Sequence, residues 1–222
     1  MHVTMNLELA RFNMVEQQIR PSEPLHEEVR ELLHFVRRED FVPAAQRHLA
    51  FADAALPLGH GAAMLTPRVE AAAVQALRPR KHENVLEIGA GSGYLAALLA
   101  VHANRLTTME IVPELADLAR ANLRRAGIHN VDVETGDGFA LARATAGHFD
   151  VMMLSGGVAQ VPGELLARLK VGGRLFAFVG KAPVQTARLY ICLGAGNHRI
   201  QNLFETCVTD LRNVPLNAEF TL

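Results

Sequence analysis

The stretch Val85-Leu86-Glu87-Ile88-Gly89-Ala90-Gly91-Ser92-Gly93-Tyr94 constrains this chain more than any other. An apolar run ends in three alternating glycines, and Leu95-Ala96-Ala97-Leu98-Leu99-Ala100 follows with helix-forming character. Strand, glycine turn and helix in that order let a backbone approach a ligand closely and turn free helical N–H groups toward an anion. The pattern is that of a nucleotide-cofactor turn. The dinucleotide fingerprint has its third glycine one place later, where this chain carries Tyr94, so the spacing points away from NAD.

After Pro79, short β-branched or apolar runs alternate with helical stretches, the signature of a parallel sheet covered by helices. The expected strands are Val85–Ile88, Leu106–Ile111, Val131–Glu134, Phe149–Leu154 and Arg174–Val179, with helices starting near Tyr94, Pro113 and Pro162. Arg188–Leu193 and Arg199–Cys207 flank Gly194-Ala195-Gly196-Asn197 and read as an antiparallel hairpin. Gly172-Gly173 reads as a turn entering the fifth strand. The expected fold is therefore α/β: a doubly wound, mostly parallel, seven-stranded Rossmann-like sheet with an antiparallel C-terminal hairpin.

An N-terminal helical leader precedes it. Leu25, Val29, Leu32, Leu33 and Val36 recur at helical spacing, with Ser22 as the expected cap and Pro24 in the first turn. A second helix is expected from Thr66-Pro67 to Leu77, Thr66 capping and Pro67 taking the first position. Between them Leu58–Ala63 reads as a glycine-rich loop. These divisions suggest residues 1–78 as leader plus loop packed on the core and residues 79–222 as the cofactor-binding domain.

Composition excludes several classes of function. Of the 222 residues 50% are hydrophobic and 20% charged, which excludes a disordered chain. A net charge of -1 supplies no global field for nucleic acid or anionic lipid. No apolar run approaches the ~20 residues that span a bilayer, and Met1–Glu8 lacks the pattern of a signal peptide, so a cytoplasmic protein without membrane partners is expected. Cys192 and Cys207 form no Cys-x-x-Cys pair and read as buried thiols; the ten histidines show no ligand spacing, so no metal is expected.

Two further acidic positions join the glycine turn. Glu110, beside Ile111, lies 21 positions after Gly89 at a strand end, where a carboxylate accepts hydrogen bonds from a ribose diol. Gly136-Asp137-Gly138 follows the third strand, which puts Asp137 at the carboxyl edge of the sheet; the plainer alternative is a turn residue bonding its own backbone. Glu87, inside an apolar strand, needs a polar partner when buried, and the glycine loop or a ligand amine is the expected one.

With these residues the chain resembles the class I S-adenosylmethionine-dependent methyltransferases, and among them the protein-L-isoaspartate O-methyltransferase family. Phe41-Val42-Pro43, Leu56-Pro57-Leu58-Gly59-His60-Gly61, the Val85–Tyr94 turn, Gly136-Asp137-Gly138, Phe149-Asp150-Val151 and Leu169-Lys170-Val171-Gly172-Gly173-Arg174 carry the resemblance. It implies S-adenosyl-L-methionine as cofactor, S-adenosyl-L-homocysteine as product, and a protein or peptide carrying isoaspartyl residues as substrate. It also implies a cofactor site of Glu87, Ile88, Gly89, Ala90, Gly91, Ser92, Gly93, Tyr94, Glu110, Ile111, Gly136, Asp137 and Gly138. By position, Glu87 and the three glycines would line the methionine part, Glu110 the ribose and Asp137 the adenine.

This sequence departs from the family after the Leu-Pro-x-Gly-x-Gly segment. The family's Thr and Ser, beside the transferred methyl, fall here on Ala63 and Leu65. Losing one orienting hydroxyl costs about 1.5–3 kcal/mol, or about ten- to a hundredfold in rate. Thr66 and Ser155 are candidate substitutes, though Thr66 also reads as a helix cap. His60 is the candidate base for a hydroxyl or amine acceptor, and otherwise a surface residue that shapes the loop. Three functions stay open at this point: isoaspartyl methylation, methylation of another acceptor such as a small molecule, and cofactor binding without transfer. The apolar stripe of the leader suits either a monomer or a homodimer.

Overall fold

The computed structural model describes residues 6–22, 24–144, 147–194 and 196–215. A two-stranded ribbon of β1 (Leu56–Gly59) and β2 (Ala62–Met64) precedes one large sheet. That sheet contains β3 (Asn84–Ile88), β4 (Arg105–Glu110), β5 (Val131–Thr135), β6 (Phe149–Val158), β7 (Leu169–Lys181), β8 (Val184–Gly194) and β9 (Asn197–Thr206). Their order is β5-β4-β3-β6-β7-β8-β9. The first five pair in parallel, and β8 and β9 close the edge antiparallel. The chain runs outward from β3 through β4 to β5 and then returns to place β6 on the other side of β3. Such a reversal opens a crevice at the carboxyl ends of the two central strands.

Helices cover both faces: α1 (Leu7–Asn13), α2 (Glu27–Phe35), α3 (Pro67–Leu77), α4 (Tyr94–Ala100), α5 (Pro113–Arg125), α6 (Gly138–Ala144) and α7 (Gly163–Leu166). Every residue of α4 is buried, as its all-apolar sequence requires. By contrast α5 buries only Leu115, Ala116, Ala119, Asn122 and Leu123, and its Arg124 and Arg125 lie in the last turn, where the helix dipole favours cations. Two apolar clusters result, one on each face. Met14, Ile19, Leu33, Leu77, Tyr94 and Phe176 belong to one; Leu86, Ile88, Met109, Phe139 and Leu165 belong to the other.

The seven-stranded sheet and its antiparallel hairpin are as expected, and several details differ. Ser22 does not cap the leader helix: its Oγ donates to Ile19 O (2.7 Å) at the end of the preceding helical segment, and α2 starts at Glu27. Pro24, with no N–H and a fixed φ, separates the two. The loop at Leu58–Ala63 is the paired ribbon β1–β2. Gly172 and Gly173 lie inside β7 where its register against β6 shifts, and position 173 requires glycine because a Cβ there would stand 2.8 Å from Lys170 O. Cys192 is buried but Cys207 is exposed, just past the end of the edge strand β9. Ala195 of the expected hairpin turn, and Met1–Met5 at the N-terminus, fall outside the described residues. No helix among the described residues is long and apolar enough to cross a membrane.

The leader packs into the main core. Arg38, fully buried, donates to Glu70 Oε2 (2.9 Å), Ala50 O (3.0 Å) and Leu65 O (2.7 Å), and its guanidinium lies 5.6 Å from the centre of the Tyr94 ring. A buried guanidinium persists only with its donors satisfied in this way.

Candidate active site

The crevice at the carboxyl ends of β3 and β6 is an open cleft with about 680 Å3 of empty space. Ile88, Gly89 and Gly91 supply one side of its lining, Met109, Glu110, Ile111 and Val112 the next, and Gly138, Ser155 and Gly156 the floor and far side. The glycine turn has the shape its sequence requires. Gly91 has φ +53° and Gly93 φ +82°, both left-handed, and a Cβ on Gly93 would press within 3.2 Å of Ala119 Cα on α5.

Glu110 organises this turn. Its Oε2 accepts from Gly91 N (2.9 Å) and its Oε1 from Val112 N (3.1 Å), so one buried carboxylate joins the turn to the end of β4. A carboxylate offers about four acceptor positions, and two remain for a ligand. Glu87 lies below the cleft lining and is fully buried; Thr108 Oγ1 donates to its Oε2 (2.6 Å) and Ser155 Oγ to its Oε1 (2.7 Å). Burial pushes the Glu87 carboxyl up to about 7, with the Glu110 charge adding to the rise and the two hydroxyl bonds opposing it. Asp137 caps α6: its Oδ1 accepts from Phe139 N (2.9 Å) and Ala140 N (3.3 Å), and Asn213 Nδ2 donates to its Oδ2 (3.3 Å). Gly138, next to it, lines the cleft.

Of the sequence-selected residues, the structure brings Ile88, Gly89, Gly91, Glu110, Ile111, Gly138 and Ser155 to the cleft surface. Ala90, Ser92, Gly93 and Tyr94 shape the turn from behind; Ser92 O accepts from Asn122 Nδ2 (2.8 Å) on α5. Thr66 caps α3 through a bond from Val69 N to its Oγ1 (3.4 Å), and with Leu65 it lines a neighbouring compartment that meets the cleft at Ala63 and Thr209. His60 is exposed at the ribbon tip in a left-handed conformation (φ 53°).

The segment that follows β9 was missed by sequence reasoning. Thr209, Asp210, Leu211 and Arg212 form a wall of the cleft. This strap is laced to β6: Gly157 N donates to Thr209 O (2.9 Å) and Leu211 N to Gly157 O (2.8 Å). Gln185, fully buried in β8, donates to Asp210 Oδ1 (2.6 Å) and accepts from Val208 N (2.7 Å). The only sequence signal was the pair Gly156-Gly157, whose missing side chains admit the strap.

The sequence model of "Protein-L-isoaspartate(D-aspartate) O-methyltransferase (PCMT)" matches residues 10–216, nearly the whole chain. The chain belongs to this family. A protein-L-isoaspartate O-methyltransferase of Myxococcus xanthus is 43% identical over 152 residues, which cover 68% of this chain and 71% of the relative. One from Hyperthermus butylicus is 34% identical over 222 residues, covering 95% and 90%. A Plasmodium falciparum structure in complex with S-adenosyl-L-homocysteine, described as a member of the same family, superposes with TM-score 0.78 at 17% identity and covers 94% of this chain and 99% of its own. At that identity the superposition establishes the shared fold, here the Rossmann-like methyltransferase sheet.

Proposed function

We propose that this chain is an S-adenosylmethionine-dependent methyltransferase that esterifies a carboxylate of L-isoaspartyl residues in proteins or peptides. One observation carries the cofactor reading: Glu110, at the end of the strand after the glycine turn, is held by Gly91 N and Val112 N with acceptor positions to spare. Those positions suit the two hydroxyls of a ribose. Ile88, Gly89 and Gly91 would accommodate the methionine portion, whose carboxylate would meet backbone N–H groups of the turn. Glu87 would act there through the Ser155 hydroxyl. Ile111 and Gly138 would flank the adenine, and Asp137, already capping α6, has acceptor capacity left on Oδ2 for an exocyclic amine.

When bound, S-adenosylmethionine supplies a methyl group already activated on a sulfonium. The chain's own task is then alignment and exclusion of water, which in-line displacement rewards strongly. A carboxylate acceptor, with an ordinary pKa near ~4, is ionised at neutral pH and needs no base. The exposed His60 is therefore not required for proton removal. The cellular form of this reading is repair of isoaspartyl damage in the cytoplasm by a monomer or homodimer.

A second reading is favoured by Ala62 and Ala63, which face the cleft without hydroxyls: the same scaffold methylating a different acceptor. Labelled methyl transfer from S-adenosylmethionine to an isoaspartyl peptide, compared with its aspartyl counterpart and scored as base-labile ester, separates the two. Ester on the isoaspartyl peptide alone is expected. Base-stable product on another acceptor would establish the second reading, and cofactor binding without product would leave a binding protein.

A further inference from the structure

The ribbon tip and the strap form one wall of the cleft, and its side chains differ sharply in chemistry. Gly61, Ala62 and Ala63 offer no polar side chain, while Arg212 is the one cation among the residues lining the cleft. The guanidinium sits at the ribbon tip: its Nη2 donates to His60 O, and a Cβ on Gly61 would stand 3.7 Å from that nitrogen. A guanidinium has five N–H donors in a fixed fork, and one carbonyl uses one of them. Among the described residues no carboxylate pairs with Arg212. The adjacent Asp210 is engaged instead by Gln185.

The compartment that joins the cleft at Ala63 and Thr209 has no charged side chain in its lining; Met64, Leu65, Val69 and Val208 dominate it. An acceptor with one negative charge and apolar neighbours thus meets a divided surface. Its charge has one favourable position, at Arg212, and its apolar groups have the compartment. We propose that Arg212 binds the acceptor carboxylate, so that a guanidinium from the strap performs the orienting work for which the ribbon, with Ala63 and Leu65, has no hydroxyl. One carboxylate oxygen accepts from the guanidinium and the other is left free as nucleophile. This rests on the reading of a carboxylate acceptor given above.

The test uses a short peptide, blocked at both ends, whose only charge is one isoaspartyl carboxylate, beside its neutral carboxamide twin. Binding of each to the full chain saturated with S-adenosyl-L-homocysteine is measured by calorimetry, and ester formation is measured separately. The unaltered protein is expected to prefer the carboxylate peptide. Arg212→Gln should weaken that peptide about 10- to 100-fold, removing the preference, while Arg212→Lys retains part of it. Affinity for S-adenosyl-L-homocysteine should stay unchanged, and the melting temperature should fall by no more than the loss of the one hydrogen bond to His60 O explains. The proposal is overturned when the unaltered protein shows no preference, when Arg212→Gln keeps it, or when that variant loses cofactor affinity and melting temperature together, the behaviour of a mere tie between ribbon and strap. A preference that depends on Arg212, with no ester formed, upholds this assignment and retires the methylation reading instead.

Discussion

Glu87 and Glu110 are both buried at neighbouring strand ends, and their partners separate their roles. Glu110 accepts only backbone N–H groups and stays open to the cleft, so it is the residue whose loss should act on the ligand. Glu110→Ala is expected to weaken S-adenosylmethionine binding by at least the worth of one charged hydrogen bond, about 1.5–3 kcal/mol or ten- to a hundredfold in Kd by calorimetry. Glu87 has hydroxyl partners and a carboxyl raised from 4.5 to about 7, so the folded state holds its proton more tightly than the unfolded chain does. Its contribution to stability is present below pH 4.5 and is lost as pH rises through about 7. Melting temperatures of the protein and of Glu87→Gln should therefore diverge across that window, with the unaltered protein losing stability relative to the variant as pH rises. Parallel curves would refute the assignment. Spacing made Glu110 legible in the sequence, since a strand, helix and strand of ordinary length bring it to the turn. The partners of Glu87 were not legible, because Thr108 and Ser155 come from strands on either side and only the sheet's register selects them.

At the scale of elements, what repeats was readable and what depends on distant contact was not. The parallel strands, α4 and α5 announce themselves by apolar runs and helical spacing, and α3 by its Thr66-Pro67 start. The ribbon, the bulge in β7 and α6 are too short, or too rich in glycine, to carry a period of their own. The strap has no regular pattern at all; it is held by Gln185 and by the backbone of Gly157. That dependence can be measured. A Cβ on Gly157 would stand 2.0 Å from Gln185 Nε2 and 2.3 Å from Asp210 Oδ1, so Gly157→Ala must displace the two side chains that hold the strap. Its expected cost is about 1–3 kcal/mol, the range for overpacking a tight interior, seen as a lowered denaturant midpoint. Hydrogen exchange should show faster opening at Leu211, whose N–H bonds Gly157 O.

For the whole molecule, the sequence suggested a boundary at residue 78, because composition changes there from a helical leader to alternating strands and helices. Residues on its two sides are in direct contact. Met14, Val15, Ile19 and Leu33 share one apolar cluster with Phe176 and Phe178 of β7. Arg174 of β7 clasps both sides of it, donating to Leu77 O (2.6 Å), Arg78 O (2.7 Å) and Glu83 Oε1 (2.6 Å). Arg38 pairs with Glu70 beneath the Tyr94 ring that opens α4, so the leader also supports the turn that shapes the cleft. A fragment of residues 79–222 would keep α4 on that face of the sheet but lose α3 and the leader, exposing apolar surface at Phe176, Phe178 and their neighbours. It is expected to aggregate, or to show collapsed structure without a cooperative thermal transition, whereas the intact chain melts in one step. Arg38→Met gives the graded form of the experiment: it leaves Glu70 buried without its cation, a change that costs about 3–5 kcal/mol in comparable pairs. If the fragment instead melts cooperatively and binds S-adenosyl-L-homocysteine as the full chain does, the leader is an appendage and the boundary is real.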